Sequence, residues 1–237
     1  MCGRFVMATP VAELGRMFGF AERPNLAARY NVAPTQEIAT VQTRGDGDGD
    51  GEARQLTLMR WGLVPFWAKD LSIGSKMINA RDDGLAEKPA FREAVRRRRC
   101  LIPADGFYEW QTVEGRKQPL YIRRRDGRQL AFAGLWESWK GPKGEPPLAE
   151  PVLSATIVTT SANATLRPVH DRMPVILDEA DWPLWLDVSA SAGDALRLLR
   201  PAADDLLETV PVSTRVNSVR NEGPELILPE ARQASLL

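Results

Sequence analysis

Apolar and polar positions alternate with a period of two over residues 38–43 and 54–61, which predicts two strands, each with one buried face, that pair with each other. Between them the run Gly45-Asp46-Gly47-Asp48-Gly49-Asp50-Gly51 predicts a flexible polar connection. Further strands are expected at 2–7, at 100–110 with a break near Ala104-Asp105-Gly106, and at 153–160, where the run is apolar enough to be buried. Residues 120–124 and 129–135 read as a hairpin closed by Arg125-Asp126-Gly127-Arg128, and short strands are expected at 175–177 and 210–212. Helical signals are fewer. Thr9 and Pro10 supply an N-cap and a first turn for a helix through about Phe20. A basic helix is expected at 91–99, and others from about Glu179 and from about Gly193 to Arg200. Pro34 disfavours helix at Ala33, so 31–34 is extended or a turn, and 61–67 reads as a strand end running into a loop. Strands outnumber helices, the two do not alternate regularly, and the Pro/Gly loop at 141–151 is too short to separate domains. The expectation is a single α+β domain over 1–237, built on a curved, mostly antiparallel sheet or barrel with flanking helices.

Composition narrows the function by exclusion. With 237 residues and 43% hydrophobic content the chain can bury a proper core and is not intrinsically disordered. Two Cys cannot staple a mini-fold, and one His with two Cys cannot build a His₃ or Cys₄ zinc site, so no metal or other cofactor is expected. Lys+Arg and Asp+Glu balance at 31 each, which argues against a polyanion binder held by bulk charge but allows a local basic face. No signal peptide and no apolar run of membrane-spanning length is evident, so the expectation is a soluble cytoplasmic chain with reduced thiols. Nothing demands more than a monomer.

Several features carry possible chemistry. Asp46, Asp48, Asp50 and Gly51 match the opening of a calcium loop, but Thr57 stands where the bidentate Glu is required, so calcium is rejected. Arg96 to Arg99 read as the solvated face of a short helix, since four consecutive side chains point all around it. Arg outnumbers Lys 25 to 6, which suits phosphates and bases but equally reflects coding bias. Of the seven Trp, most are expected in the core, and Trp67, in a Pro-flanked loop, is the candidate for an exposed stacking residue. The single His, His170, lies in a polar turn bracketed by Pro168 and Pro174. Glu109 sits among aromatics, sharing one strand face with Phe107 while Tyr108 and Trp110 share the other. Cys2 is the sharpest feature. If Met1 is removed, Cys2 carries an α-amine and a thiol on adjacent carbons, a pair that captures an aldehyde as an imine and then closes a five-membered thiazolidine.

These motifs occur in one order along the chain: Met1-Cys2-Gly3-Arg4-Phe5, Arg29-Tyr30-Asn31-Val32-Ala33-Pro34, Trp61-Gly62-Leu63-Val64-Pro65, Ile78-Asn79-Ala80-Arg81, residues 100–110, Thr159-Thr160, His170-Asp171-Arg172-Met173-Pro174, and Val212-Ser213 with Val216-Asn217. In that order they resemble the SRAP family (SOS-response-associated peptidase, or abasic-site processing proteins). The resemblance implies a protein of the DNA damage response that binds single-stranded DNA and links covalently to abasic sites through Cys2, with lyase-type and autoproteolytic, Met1-removing activity. It implies that Asn79 positions the reacting sugar and Cys2, that Glu109 shuttles protons, and that His170 assists opening of the sugar ring. Arg4, Arg81 and Arg172, with Thr159 nearby, would contact phosphates, and Pro34 and Trp67 would form a wedge against which the DNA bends. A protein of this kind would associate with the nucleoid when bound to damaged DNA.

Two other enzymes begin from the same residues. An N-terminal-Cys amidohydrolase would use the Cys2 thiol with its own amine, leaving Asn79, Glu109 and His170 as bystanders. A cysteine peptidase would use Cys2, His170 and Glu109, with the Met1 bond as its evident substrate. A non-enzymatic DNA-binding module with an incidental Cys2 is the third reading.

Overall fold

The computed structural model describes residues 2–43 and 53–230; Met1 and the Gly/Asp-rich connection, with the rejected calcium loop, lie outside the described residues. In chain order the strands are β1 (Phe5–Met7), β2 (Arg29–Val32), β3 (Glu37–Thr43), β4 (Arg54–Trp61), β5 (Asn79–Arg81), β6 (Arg99–Ala104), β7 (Gly106–Val113), β8 (Arg116–Arg124), β9 (Leu130–Trp139), β10 (Val152–Ser161), β11 (Arg172–Pro174) and β12 (Leu207–Pro211). The helices are short: α1 (Val11–Phe18), α2 (Arg92–Arg97), α3 (Trp182–Leu186) and α4 (Ala192–Leu196).

The strands form two sheets. One runs β12-β8-β7-β1-β2, and every pairing in it is antiparallel. In the other, β10 pairs with both β4 and β9, so β10-β4-β3-β6-β9 closes into a five-stranded barrel, with β5 and β11 added along the far half of β10. This is the expected α+β architecture of a curved, mostly antiparallel sheet and barrel; the parallel pairs are β10 with β4 and with β5. β3 and β4 pair as the alternation predicts, from Glu37 opposite Arg60 to Thr43 opposite Arg54.

An apolar core lies between barrel and sheet. Phe5 meets Trp61 edge-on with ring centroids 5.1 Å apart, and Phe132 lies 6.2 Å from Phe5 and 5.8 Å from Phe107. Edge-to-face pairs of this kind add about 0.5–1.5 kcal/mol each beyond their buried area. They pin β1 to the barrel three residues from Cys2, so the start of the chain is held as firmly as the core. The other face of β1 and β7 carries a second cluster of Val6, Tyr108, Tyr121, Val212 and Val216. The segment after β12 folds over that cluster. Buried Asn31 fastens it by donating to the carbonyls of Ser218 and Asn221, each at 2.9 Å.

Four local expectations are corrected. Residues 120–124 and 129–135 do not form a hairpin, because β8 pairs with β7 and β12 while β9 pairs with β6 and β10 in the other sheet. The true hairpin joins β7 to β8 through Glu114 and Gly115, both with positive φ (49° and 77°); this Glu-Gly pair plays the role usually given to Asn-Gly. Thr9 does not cap α1: the N-cap is Pro10, and the Thr9 hydroxyl and amide both donate to the Asp105 carboxylate. The basic helix ends at Arg97, and Arg99, far from being solvated, is buried in β6. Its guanidinium donates to the carbonyls of Val95, Arg96, Trp185 and Asp187, which lets the one charge satisfy carbonyls at the ends of α2 and α3.

Candidate active site at the chain start

Cys2 is fully buried, and its neighbours come from both sheets. β1 pairs with β7 so that Phe5 faces Phe107 and Val6 faces Gly106, and the Tyr108 amide donates to the Arg4 carbonyl at 2.9 Å. Continuing that register brings Glu109 alongside Gly3, next to Cys2. From the barrel side, Asn79 at the start of β5 donates its side-chain amide to the Cys2 carbonyl at 2.8 Å. Asn79 is itself fixed by neighbours: the Ile78 carbonyl accepts from the Trp61 indole at 2.9 Å and from the Ile157 amide at 3.1 Å. Asn79 Oδ1 is buried without a hydrogen-bond partner among the described residues, so an acceptor stands open beside Cys2.

Burial pushes the Cys2 thiol well above its ordinary value of 9.0, and the nearby charge of Glu109 pushes it further. In the chain that still carries Met1 this favours the thiol over the thiolate. Glu109 is 6% exposed, on the core face with Phe107, while Tyr108 and Trp110 lie in the second cluster, as the alternation of the strand predicts.

The remaining residues collect on the strands beside β5. Arg81 lies opposite Thr159 of β10, and Arg172 of β11 lies opposite Ser161. Arg81 is exposed and paired with Asp83 at 2.9 Å. Arg172 is turned inward: its guanidinium contacts Asp82 Oδ1 at 2.6 Å and the Thr159 carbonyl at 2.5 Å, with its side chain only 12% exposed. His170 precedes β11 and is partly buried; its Nδ1 accepts from the Arg172 amide at 2.9 Å. Arg4 faces the second cluster, where it donates to Asn31 Oδ1 at 2.6 Å and to the Val216 carbonyl at 2.9 Å and lies over the Trp110 ring.

Pro34 and Trp67 sit on separate turns that flank Trp61. The turn at Pro34 and Thr35, the latter with φ of 71°, is tied down by the Thr35 amide donating to the Trp61 carbonyl at 2.8 Å. In the other, the Ala68 amide closes a turn on the Pro65 carbonyl at 2.9 Å, and the Trp139 indole donates to the Ala68 carbonyl at 2.9 Å. Trp67 is thereby held in solvent at 42% exposure, and its neighbour Phe66 at 60%. Sequence reasoning singled out Trp67 and missed Phe66, although both occupy the corner of the same Pro-led turn. It also missed Asp82, whose signal was only its position next to Arg81. Among the described residues no three His, Cys, Asp or Glu side chains cluster as a metal site would require, and no helix is long and apolar enough to cross a membrane.

The chain is 41% identical over 232 residues to abasic site processing protein YoqW of Bacillus subtilis, covering 96% of this chain and 99% of that one. It is 33% identical to abasic site processing protein HMCES of Gallus gallus, covering 97% of this chain and 78% of the relative. A crystal structure of a protein from Bordetella bronchiseptica superposes with a TM-score of 0.74 at 28% identity, over 90% of this chain and all of the other. One from Bacteroides thetaiotaomicron, at 24% identity, shares the fold with a TM-score of 0.83 over 97% of this chain. The profile of the family described as SOS response associated peptidase (SRAP) matches residues 1–219, and the chain belongs to that family.

Proposed function

We propose that this protein processes abasic sites by binding single-stranded DNA and joining covalently to the abasic sugar through Cys2, once Met1 has been removed. The observation that carries the reading is the convergence on Cys2 of the Asn79 amide at 2.8 Å and the carboxylate of Glu109. An abasic deoxyribose must first open. The bond from C1 to the ring oxygen breaks, the ring oxygen gains a proton and the C1 hydroxyl loses one, an exchange suited to His170 and Glu109. The α-amine gives its extra proton to Glu109, attacks C1, and the carbinolamine loses water to form an imine. The Cys2 S–H then adds across the C=N bond: sulfur bonds to C1, the thiol proton ends on nitrogen, and a thiazolidine closes. No electrons are exchanged with an outside reagent. Closure removes the imine that would otherwise drive β-elimination and strand cleavage.

A protonated thiol fits this order of events, because the amine attacks first and the sulfur adds as S–H. The contact of Asn79 with Cys2 weighs against the amidohydrolase reading, which leaves Asn79 a bystander. Arg81, exposed beside the site, is the phosphate contact least committed elsewhere; Arg172 and Arg4 are held by Asp82 and Asn31, and Thr159 is buried behind Arg81. Trp67, with Pro34 on the neighbouring turn, would take the bases by stacking, which suffices for single strands without net positive charge.

The test is a denaturing gel. Met1-processed protein incubated with single-stranded DNA carrying one abasic site is expected to give a heat-stable species of higher mass. Absence of that species, or equal yield from Cys2→Ala, refutes the proposal.

A further inference from the structure

We infer that Asp82, acting through Arg172, is a positioning residue that sets the tautomer of His170; its consequence for rate rests on the proposed role of His170 in proton transfer. Asp82 follows β5 directly and is held on three sides. Its Oδ1 lies 2.6 Å from Arg172 Nη2, its Oδ2 accepts from the Thr160 hydroxyl at 2.7 Å, and its own amide donates to the Thr159 carbonyl at 2.9 Å. The Arg172 guanidinium is clamped between this carboxylate and the Thr159 carbonyl at 2.5 Å. Both partners are largely sheltered, with side chains 12% and 23% exposed, so solvent screens the pair far less than it would a surface ion pair.

What the clamp holds is the start of β11, and with it the Arg172 amide. That amide donates to His170 Nδ1 at 2.9 Å, which requires Nδ1 to carry no proton. The Asp171 carboxylate lies 2.8 Å from the same nitrogen, and that contact requires the opposite state, with a proton on Nδ1. Two neighbours thus ask for different tautomers. Asp171 is 87% exposed, so its pull is screened by water. The amide, by contrast, is fixed by a sheltered ion pair. The clamp therefore decides the contest: neutral His170 carries its proton on Nε2, and Nε2 is the nitrogen that exchanges protons with the opening sugar. Arg172 on this account is a strut before it is a phosphate contact.

The chain has one His, so protein labelled with ¹⁵N-histidine gives a single pair of ring nitrogen signals. Above the imidazole titration the parent should show Nε2 protonated and Nδ1 bare. In Asp82→Ala the two signals should converge as the tautomers mix, whereas Asp82→Asn, whose Oδ1 can still accept from Arg172, should hold most of the bias. Single-turnover adduct formation at saturating protein should fall about 10-fold in Asp82→Ala, a fraction of what a proton-transferring side chain supplies. In a His170→Ala background the same change should cost nothing more. If Asp82→Ala does not fold, Arg172→Met, which removes the Nη2 that both Asp82 and the Thr159 carbonyl hold, should give the same spectral change. A parent that carries its proton on Nδ1, ring signals unmoved in both variants, or a rate loss that adds to that of His170→Ala overturns the inference. Signals that move while His170→Ala crosslinks as fast as the parent uphold the positioning and refute the proton-transfer role of His170.

Discussion

Cys2 and Cys100 are both buried, both free thiols, and both pushed above their ordinary ionisation range by burial. Their surroundings differ completely. Cys100 sits within β6, opposite Gly134 of β9, and its carbonyl accepts from the Trp185 indole at 2.8 Å. A Cβ on Gly134 would come within 2.7 Å of the Cys100 sulfur, so the thiol simply fills the space the glycine leaves. Cys2 has an amide from one sheet on its carbonyl and a carboxylate from the other beside its thiol. Burial alone makes a cysteine a small hydrophobe. On the proposed function, Cys2 is reactive because its burial coincides with polar groups delivered by separate elements and because loss of Met1 would expose its α-amine.

Four experiments sharpen that contrast, beginning with the largest expected effect. Cys2→Ala should abolish adduct formation on abasic single strands while Cys100→Ala leaves the yield unchanged, as read on a denaturing gel; loss with both would mean that the two sites are not distinct. Glu109→Gln should slow single-turnover adduct formation by about 10²-fold or more without weakening binding to undamaged strands in a fluorescence titration. Gly134→Ala should cost about 1–3 kcal/mol of stability by overpacking, seen as a lower Tm, and adding Cys100→Ala should recover some of the loss. Finally, stability should decline in alkali. The thiols of Cys2 and Cys100 and the phenols of Tyr108 and Tyr121 are all raised, by burial first, above ordinary values of 9.0 and 10.0. The folded state therefore keeps protons that the unfolded chain releases. This stabilisation is complete below the ordinary values and is lost as pH rises past them, which urea titrations across that range would detect.

The β3–β4 pairing was legible in the alternation of the sequence, and the residues of the candidate site in its ordered motifs. Glu109 and Phe107 were legible as sharing one face because period two needs only local information. The hairpin signal at Arg125-Asp126-Gly127-Arg128 misled because a tight turn fixes chain reversal and not which sheet each arm joins. Arg99 misled for a related reason: a charge in a basic run looks solvated until four carbonyls from separate elements converge on it. The inward turn of Arg172 was equally hidden, since the pull of Asp82 depends on β5 and β11 both lying along β10.

The central claim is that Cys2, and not a general buried thiol or a surface amine, captures the opened sugar. Intact-mass analysis of the adduct, followed by mapping of the linked peptide, tests it most directly. The account predicts a mass equal to protein lacking Met1 plus the intact strand less one water, with the link on Cys2 through both nitrogen and sulfur. A link on Lys or Cys100, or a cleaved strand left on the protein, would contradict it.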